Sequence, residues 1–161
     1  MGSEMCIRDS YYGNAEETAS TLDQDGWLNT GDLGYLDNGN LTLTGRAKDL
    51  IIINGRNIWP QDIEWSIERS VSGAKEGRVV AFNGLPDASN DEEIVCVVAE
   101  FRSKDEAERD RFRREIEAFI KSSFSVTPIV ALSASGLLPR TSSGKLSRSK
   151  ARTMFFNEVF N

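Results

Sequence analysis

The feature that most constrains the fold is the run Ile94-Val95-Cys96-Val97-Val98-Ala99, in which six consecutive side chains are apolar. The shortness of the run and its β-branched residues favour a strand, which we predict over residues 93–101. A strand that is apolar on both faces has to be covered on both faces. We therefore expect it at the centre of a sheet.

The rest of the pattern predicts a small α/β domain in which a mixed sheet is flanked by helices. Further strands are expected at residues 50–53, 77–82 and 129–132. Apolar residues at helical spacing indicate three helices, whose inner faces contain Ile63, Ile67 and Val71, then Phe112, Ile116, Phe119 and Ile120, and finally Ala151, Phe155 and Val159. The resulting order is βαββαβα, which allows a compact domain with a small core.

The ends of these helices carry local signals. Pro60 suits the first turn of the first helix, where Asp62 and Glu64 favour the positive end of the helix dipole. Gly73 marks the end of that helix. The longest helix is expected to begin with a capping box at Ser103-Lys104-Asp105-Glu106, with Ser103 as the capping residue.

A β-hairpin is predicted ahead of this domain. The sequence Asp37-Asn38-Gly39-Asn40 separates residues 33–36 from the alternating Leu41-Thr42-Leu43-Thr44. An Asn-Gly pair accepts positive φ at both central positions, as tight hairpin turns require. The second such pair, Asn54-Gly55, is interpreted as the end of the buried strand at residues 50–53.

Composition excludes several classes of protein. The net charge of −6, without an evident basic face, argues against a nucleic-acid partner. No apolar run is long enough to span a membrane. Histidine, the commonest general base and metal ligand, is absent, and no metal site is predicted. Two cysteines, Cys6 and Cys96, are too few for a disulfide framework and favour a reducing cytoplasm.

The first ten residues are expected to be foreign to the protein. Residues 2–10, when back-translated, resemble a transposase adapter used in sequencing-library preparation. Native sequence would then begin near Tyr11 and continue upstream, and Cys6 would not belong to the protein. The alternative is a genuine N-terminal tail or an expression tag.

Three motifs carry the chemistry. Residues 139–146 read Pro-Arg-Thr-Ser-Ser-Gly-Lys-Leu, a composition that predicts a mobile loop carrying the charge of Lys145 into a site built elsewhere. Thr30-Gly31-Asp32 and Gly45-Arg46-Ala47-Lys48-Asp49 lie upstream. A Walker A loop is excluded, because Leu146 stands where Ser or Thr would bind magnesium and no glycine has the required spacing.

Together these motifs resemble the C-terminal part of the adenylate-forming enzymes, the superfamily of acyl-CoA synthetases, adenylation domains and luciferases. The resemblance covers residues 11–160, and residues 48–57 with Pro60-Gln61-Asp62-Ile63-Glu64 are most similar to the fatty acyl-AMP ligases. It implies activation of a fatty acid with ATP and Mg²⁺ to acyl-AMP, followed by transfer to a phosphopantetheinylated acyl carrier protein. A fatty-acid or aryl CoA ligase and a non-catalytic interaction module are the alternatives.

The resemblance implies a role for three charged residues. Lys145 would be the catalytic lysine that offsets the charge of carboxylate and phosphate; otherwise it is a solvated surface lysine. Asp32 would accept both ribose hydroxyls of the nucleotide; otherwise it is a turn residue. Arg46 would contact ribose or phosphate; otherwise it forms a surface ion pair with Asp32 or Asp49.

Two further positions concern movement of the C-terminal domain, which we call the lid. Lys48 matches the residue about which the lid turns. Gly55 matches a glycine that leaves room for the phosphopantetheine arm; alternatively it only ends a strand. The implied divisions are an adapter at 1–10, the end of the large AMP-binding domain at 11–46, a hinge at 47–49 and the lid at 50–161. The phosphate loop and acyl pocket would lie upstream, so this chain alone is expected to be inactive.

Overall fold

The computed structural model of the protein describes residues 12–23, 25, 27–84 and 94–160. The chain divides into two compact units between Lys48 and Asp49. The proposed adapter at residues 1–10 and most of the loop before the central strand lie outside the described residues.

The first unit contains a short helix and the predicted hairpin. Helix α1 (Ala15–Thr21), which the sequence analysis does not predict, begins where the Asn14 side chain accepts a hydrogen bond from the Glu17 amide. Strands β1 (Asp32–Asp37) and β2 (Asn40–Arg46) pair in antiparallel register. Asn38 and Gly39 have φ values of 49° and 82°. The predicted Asn-Gly turn is therefore confirmed.

A second hairpin opens the second unit, where the sequence analysis expects one buried strand. Strand β3 (Ile51–Ile53) pairs with β4 (Arg56–Ile58) across Asn54-Gly55, whose φ values are 50° and 72°. Only Ile51 of β3 is buried, and Ile52 is 46% exposed. The prediction of a fully buried strand was wrong, because this Asn-Gly pair forms the same turn as the first one.

The centre of the second unit is a three-stranded sheet in the order β5 (Val79–Gly84), β6 (Ile94–Glu100), β7 (Ile129–Ser133). Strand β6 is antiparallel to β5 and parallel to β7, so the predictions of a mixed sheet and of a central apolar strand are both confirmed. Helix α3 (Glu106–Phe124) connects the two parallel strands.

Both faces of β6 are covered, as its composition requires. Val95, Val97 and Ala99 belong to a core cluster that helices α2 (Pro60–Ser70) and α3 complete; their buried residues in it include Ile63, Ile67, Ile116 and Ile120. Cys96 and Val98 belong to a second cluster on the opposite face, which Ala151 of helix α4 (Arg148–Phe156) completes.

The predicted N-cap of α3, Ser103, was wrong. The N-cap of α3 is Asp105, whose carboxylate accepts hydrogen bonds from the amides of Ala107 and Glu108 at 2.8 and 3.3 Å. Ser103 instead accepts from the Asp105 amide. An aspartate at the N-cap satisfies two amides and also complements the helix dipole, which a serine cannot do.

The last helix is shorter than predicted. Helix α4 ends at Phe156, and Val159, which is 45% exposed, is not part of its inner face. The helix stops because Glu158 adopts a left-handed conformation with φ of 55°, and the Val159 amide turns back to donate to the Met154 carbonyl at 3.0 Å.

Candidate active site

The loop that carries Lys145 connects β7 to α4 and is closed by its own backbone. The Ser147 amide donates to the Pro139 carbonyl at 2.9 Å, and the Thr141 amide donates to the Lys145 carbonyl at 2.8 Å. The Thr141 hydroxyl donates to the same carbonyl at 3.2 Å. In the structure the loop is closed by these hydrogen bonds and presents Lys145 on the lid; its mobility stays a prediction.

Arg140 anchors this loop to the sheet, which the sequence analysis missed. One end of its guanidinium donates to the Gly144 carbonyl at 2.9 Å, and the other end donates to the Gly77 carbonyl at 2.6 Å. Gly77 lies just before β5, whose first residue, Val79, pairs with Ala99 near the end of β6. The only signal in the sequence was an arginine inside the lysine motif.

Lys145 itself is exposed. Across residues 27–84 and 94–160, its ammonium group forms no ion pair and no side-chain hydrogen bond. An uncommitted charge on a hydrogen-bonded loop suits a group that has to meet an anionic substrate.

Asp32 and Arg46 are brought together by the register of the first hairpin. They are the first residue of β1 and the last residue of β2, directly opposite each other, and Arg46 Nε lies 3.2 Å from Asp32 Oδ1. Their side chains are 34% and 55% exposed, respectively. An exposed pair of this kind is worth about 0–1 kcal/mol, so either group can exchange its partner for a ligand at small cost.

Lys48 lies in a single 3₁₀ turn, Ala47–Asp49, and is exposed. This turn spans the point at which the chain divides into its two units. Its role as a hinge stays a prediction.

Gly55 is at the tip of the second hairpin and has a positive φ. This conformation favours glycine whether or not the residue has a functional role. A Cβ atom placed there would meet no atom within 4 Å. The hairpin borders an open cavity of about 670 Å³, whose wall includes Ile94 and Ile129, the first residues of β6 and β7. Among the described residues, none that lines this wall carries a charged side chain.

The two candidate loops therefore lie at opposite ends of the three-stranded sheet. The Lys145 loop is anchored beside the start of β5 and the end of β6, since these strands are antiparallel. The Gly55 hairpin borders the starts of β6 and β7. A rigid lid with this layout can present one loop or the other, according to its orientation.

The remaining cysteine in the described part of the chain is no candidate nucleophile. Burial raises the pKa of the Cys96 thiol to about 11, although the charge of Arg152 acts in the opposite direction. The thiol therefore stays protonated at neutral pH. Within the described ranges, no cluster of three or more His, Cys, Asp or Glu side chains could hold a metal ion.

The chain is similar to known proteins over most of its length. No family profile matches the chain. A Caulobacter vibrioides protein named as an acyl-CoA synthetase is 46% identical over 92% of this chain and 26% of its own length. The long-chain fatty acid–AMP ligase FadD32 of Mycolicibacterium smegmatis is 32% identical over 91% of this chain and 29% of its own length. The chain thus spans less than a third of these relatives.

The fold of this chain is also similar to parts of solved structures. The McyG A-PCP structure with phenylalanyl-adenylate has a TM-score of 0.82 and 33% identity over 93% of this chain and 23% of that one. A chain from work on fatty acyl-adenylate ligases of E. coli and L. pneumophila has a TM-score of 0.77 and 38% identity over 94% of this chain and 26% of that one. None of the helices in the described ranges combines the length and apolar character needed to cross a membrane.

Proposed function

Because the chain belongs to the adenylate-forming superfamily, as the C-terminal part of such an enzyme, we propose that the whole protein activates a fatty acid. The product is a fatty acyl-adenylate, formed from ATP with release of pyrophosphate. The carboxylate oxygen attacks the α-phosphorus and the bond to the β-phosphate oxygen breaks.

We choose a fatty acid as the substrate on the basis of sequence identity. The phenylalanyl-adenylate enzyme superposes better, with a TM-score of 0.82 against 0.77, but the fatty acyl-adenylate ligase is more identical, 38% against 33%. The lid fold serves both substrate classes, so superposition does not discriminate between them. The curated relatives do not discriminate in the same way, because a fatty acid–AMP ligase is 32% identical and two nonribosomal peptide synthetases are 34% and 36% identical.

Lys145 is the group that we assign to the first half-reaction. Two anions have to approach each other, and negative charge develops on the phosphoryl oxygens and on the departing pyrophosphate. The Lys145 ammonium, exposed on a closed loop, is suited to neutralise that charge. The alternative of an ordinary surface lysine predicts no effect of its removal.

Asp32 and Arg46 are assigned to the nucleotide. Their exposed pair offers a carboxylate for the ribose hydroxyls and a guanidinium for ribose or phosphate, 3.2 Å apart at the hairpin end. ATP supplies the adenylyl group and Mg²⁺ neutralises its phosphates. We assign most of that site to the part of the relatives that this chain does not match.

For the second half-reaction, the lid turns about Lys48 and presents the Gly55 hairpin. We assign the acceptor as the phosphopantetheine thiol of an acyl carrier protein. The competing acceptor is CoA, which the name of the 46% identical relative favours. Both acceptors end in the same arm, so a hairpin whose glycine tip has open space around it suits either of them.

The test is fatty-acid-dependent pyrophosphate exchange by the whole protein, followed by transfer to a holo carrier protein or to CoA. We expect exchange with fatty acids and transfer to the carrier. Efficient release of acyl-CoA would identify a CoA ligase instead, and no exchange with any fatty acid would refute the proposal. The 161-residue chain alone should show no exchange above a blank.

A further inference from the structure

Arg148, which no sequence motif singled out, joins two distant parts of the lid. It is the first residue of α4 and stands three positions after Lys145. Its Nε donates to Glu64 Oε1 at 3.0 Å and its Nη2 donates to Glu64 Oε2 at 2.6 Å. Its Nη1 donates to Asp49 Oδ2 at 3.2 Å. One guanidinium thus binds α2 and the residue that follows Lys48.

The two halves of this contact differ in burial. The Glu64 side chain is 9% exposed and its Oε1 also accepts a hydrogen bond from the buried Ala81 amide of β5. This half fixes the start of α4 against the core. The Asp49 side chain is 22% exposed, and the only hydrogen bond or ion pair its carboxylate forms within the described ranges is with Arg148. The Asp49 half can therefore be removed without uncovering a buried charge.

Arg148 stays charged in this position. Burial lowers the pKa of its guanidinium, but the hydrogen bonds and charges of Glu64 and Asp49 outweigh that effect and raise the pKa above its ordinary value. The guanidinium is therefore charged throughout the neutral pH range.

Asp49 is the first residue of the second unit, and the predicted hinge, Lys48, is the last residue of the first. A hinge needs a defined end, because each additional free residue adds orientations to the body that it carries. We propose that Arg148 is a positioning residue whose bond to Asp49 ends the flexible segment at Lys48 and ties it to the Lys145 loop.

The catalytic consequence rests on the proposed function. If Asp49 is released, the pivot lengthens and the orientation of the lid becomes less defined. The cost falls on adenylation, because Lys145 has to meet two anions in a fixed geometry. Transfer at the Gly55 hairpin does not use the charge of Lys145, so it depends less on that geometry.

The structural part of the test uses the 161-residue chain and hydrogen exchange of individual amides. Asp49→Asn keeps the size and removes the charge. We expect faster exchange at residues 49–51 and unchanged exchange in β6, with restoration by Asp49→Glu. The matched control is Arg152→Gln, one turn further along α4, whose side chain donates to the Asn83 carbonyl and not to Asp49. This control should leave residues 49–51 unchanged.

The catalytic part uses the whole protein. Asp49→Asn should slow pyrophosphate exchange roughly 3- to 30-fold, the range of couplings through packed networks, and should leave transfer from preformed acyl-AMP within about 2-fold. Unchanged exchange of residues 49–51 would overturn the proposal, as would equal loss in both half-reactions. If the unmodified whole protein forms no acyl-AMP, the proposed function fails, while the amide data still decide whether Arg148 ends the hinge.

Discussion

The Lys145 loop and the Gly55 hairpin sit at opposite ends of one sheet and differ in almost every physical respect. The first is charged and closed by side-chain bonds from Arg140 and Thr141. The second borders a wall whose described residues are uncharged, its one arginine, Arg56, donates to the Phe124 carbonyl, and its turn depends on the backbone of Asn54 and Gly55. The contrast suggests that electrostatics is needed at one end and open space at the other, as two different half-reactions would require.

The largest effect is expected from Lys145→Ala in the whole protein. Loss of one charged donor at a phosphoryl transition state should slow adenylation by about 10²–10³-fold, or about 3–4 kcal/mol. Transfer from preformed acyl-AMP should be spared, as measured by carrier loading. Lys150→Ala, an exposed lysine of α4, is the control. Equal damage to both half-reactions would remove the distinction between the two ends.

The opposite end is tested by Gly55→Asn. Asparagine tolerates the left-handed backbone of this turn, so the change adds bulk with little strain. Transfer to the carrier should fall by roughly 10–10²-fold, because a misplaced thiol loses its alignment, while pyrophosphate exchange is kept. The matched control is Gly39→Asn, in the same turn of the first hairpin. If both variants behave alike, Gly55 is only a turn residue.

The sheet that separates the two ends has a pH-dependent stability of its own. In the unfolded chain the Cys96 thiol ionises near its ordinary pKa of 9.0, but in the folded lid burial raises that pKa to about 11. Between these values the unfolded state loses the proton first, so the stabilisation present below pH 9 is lost as pH rises towards 11. The expected loss is about 2 kcal/mol.

The measurement for Cys96 is urea unfolding at a series of alkaline pH values. Cys96→Ala should show a shallower decline in the free energy of unfolding than the unmodified chain, whatever its stability at neutral pH. Parallel curves would mean that the thiol is not protected by the sheet. In that case the two loops are separated by a more open structure than the contacts indicate.

Much of the fold could be predicted because local patterns report burial. The run at residues 94–99 predicted a central strand covered on both faces, and alternate residues of β6 do enter two separate clusters. The turn at Asn38-Gly39 was predicted from its φ requirements. The same dipeptide at Asn54-Gly55 was misread, since the apolar residues 50–53 suggested burial rather than pairing with β4.

The sequence motifs identified candidate site residues, but they did not show which other residues these side chains contact. The motifs pointed to Asp32, Arg46 and Lys145, and the structure adds that the first two form a pair and that the third is left uncommitted within the described ranges. Their roles stay predictions. Arg140 and Arg148, which hold the lysine loop in place, were missed because nothing in the neighbouring sequence names their partners.

The turn at Asn38-Gly39, the inner faces of α2 and α3 and the central strand could be predicted from the sequence, because each depends on residues close together in the chain. Which charges meet depends on the tertiary structure. Arg148 pairs with Glu64 and Asp49, which lie 84 and 99 residues away, and Arg140 binds a carbonyl 63 residues away. Among 25 acidic residues, an arginine in the sequence has many equivalent partners. The packing of α4 brings Arg148 within bonding distance of the buried Glu64, and that contact holds the start of α4, three residues after Lys145.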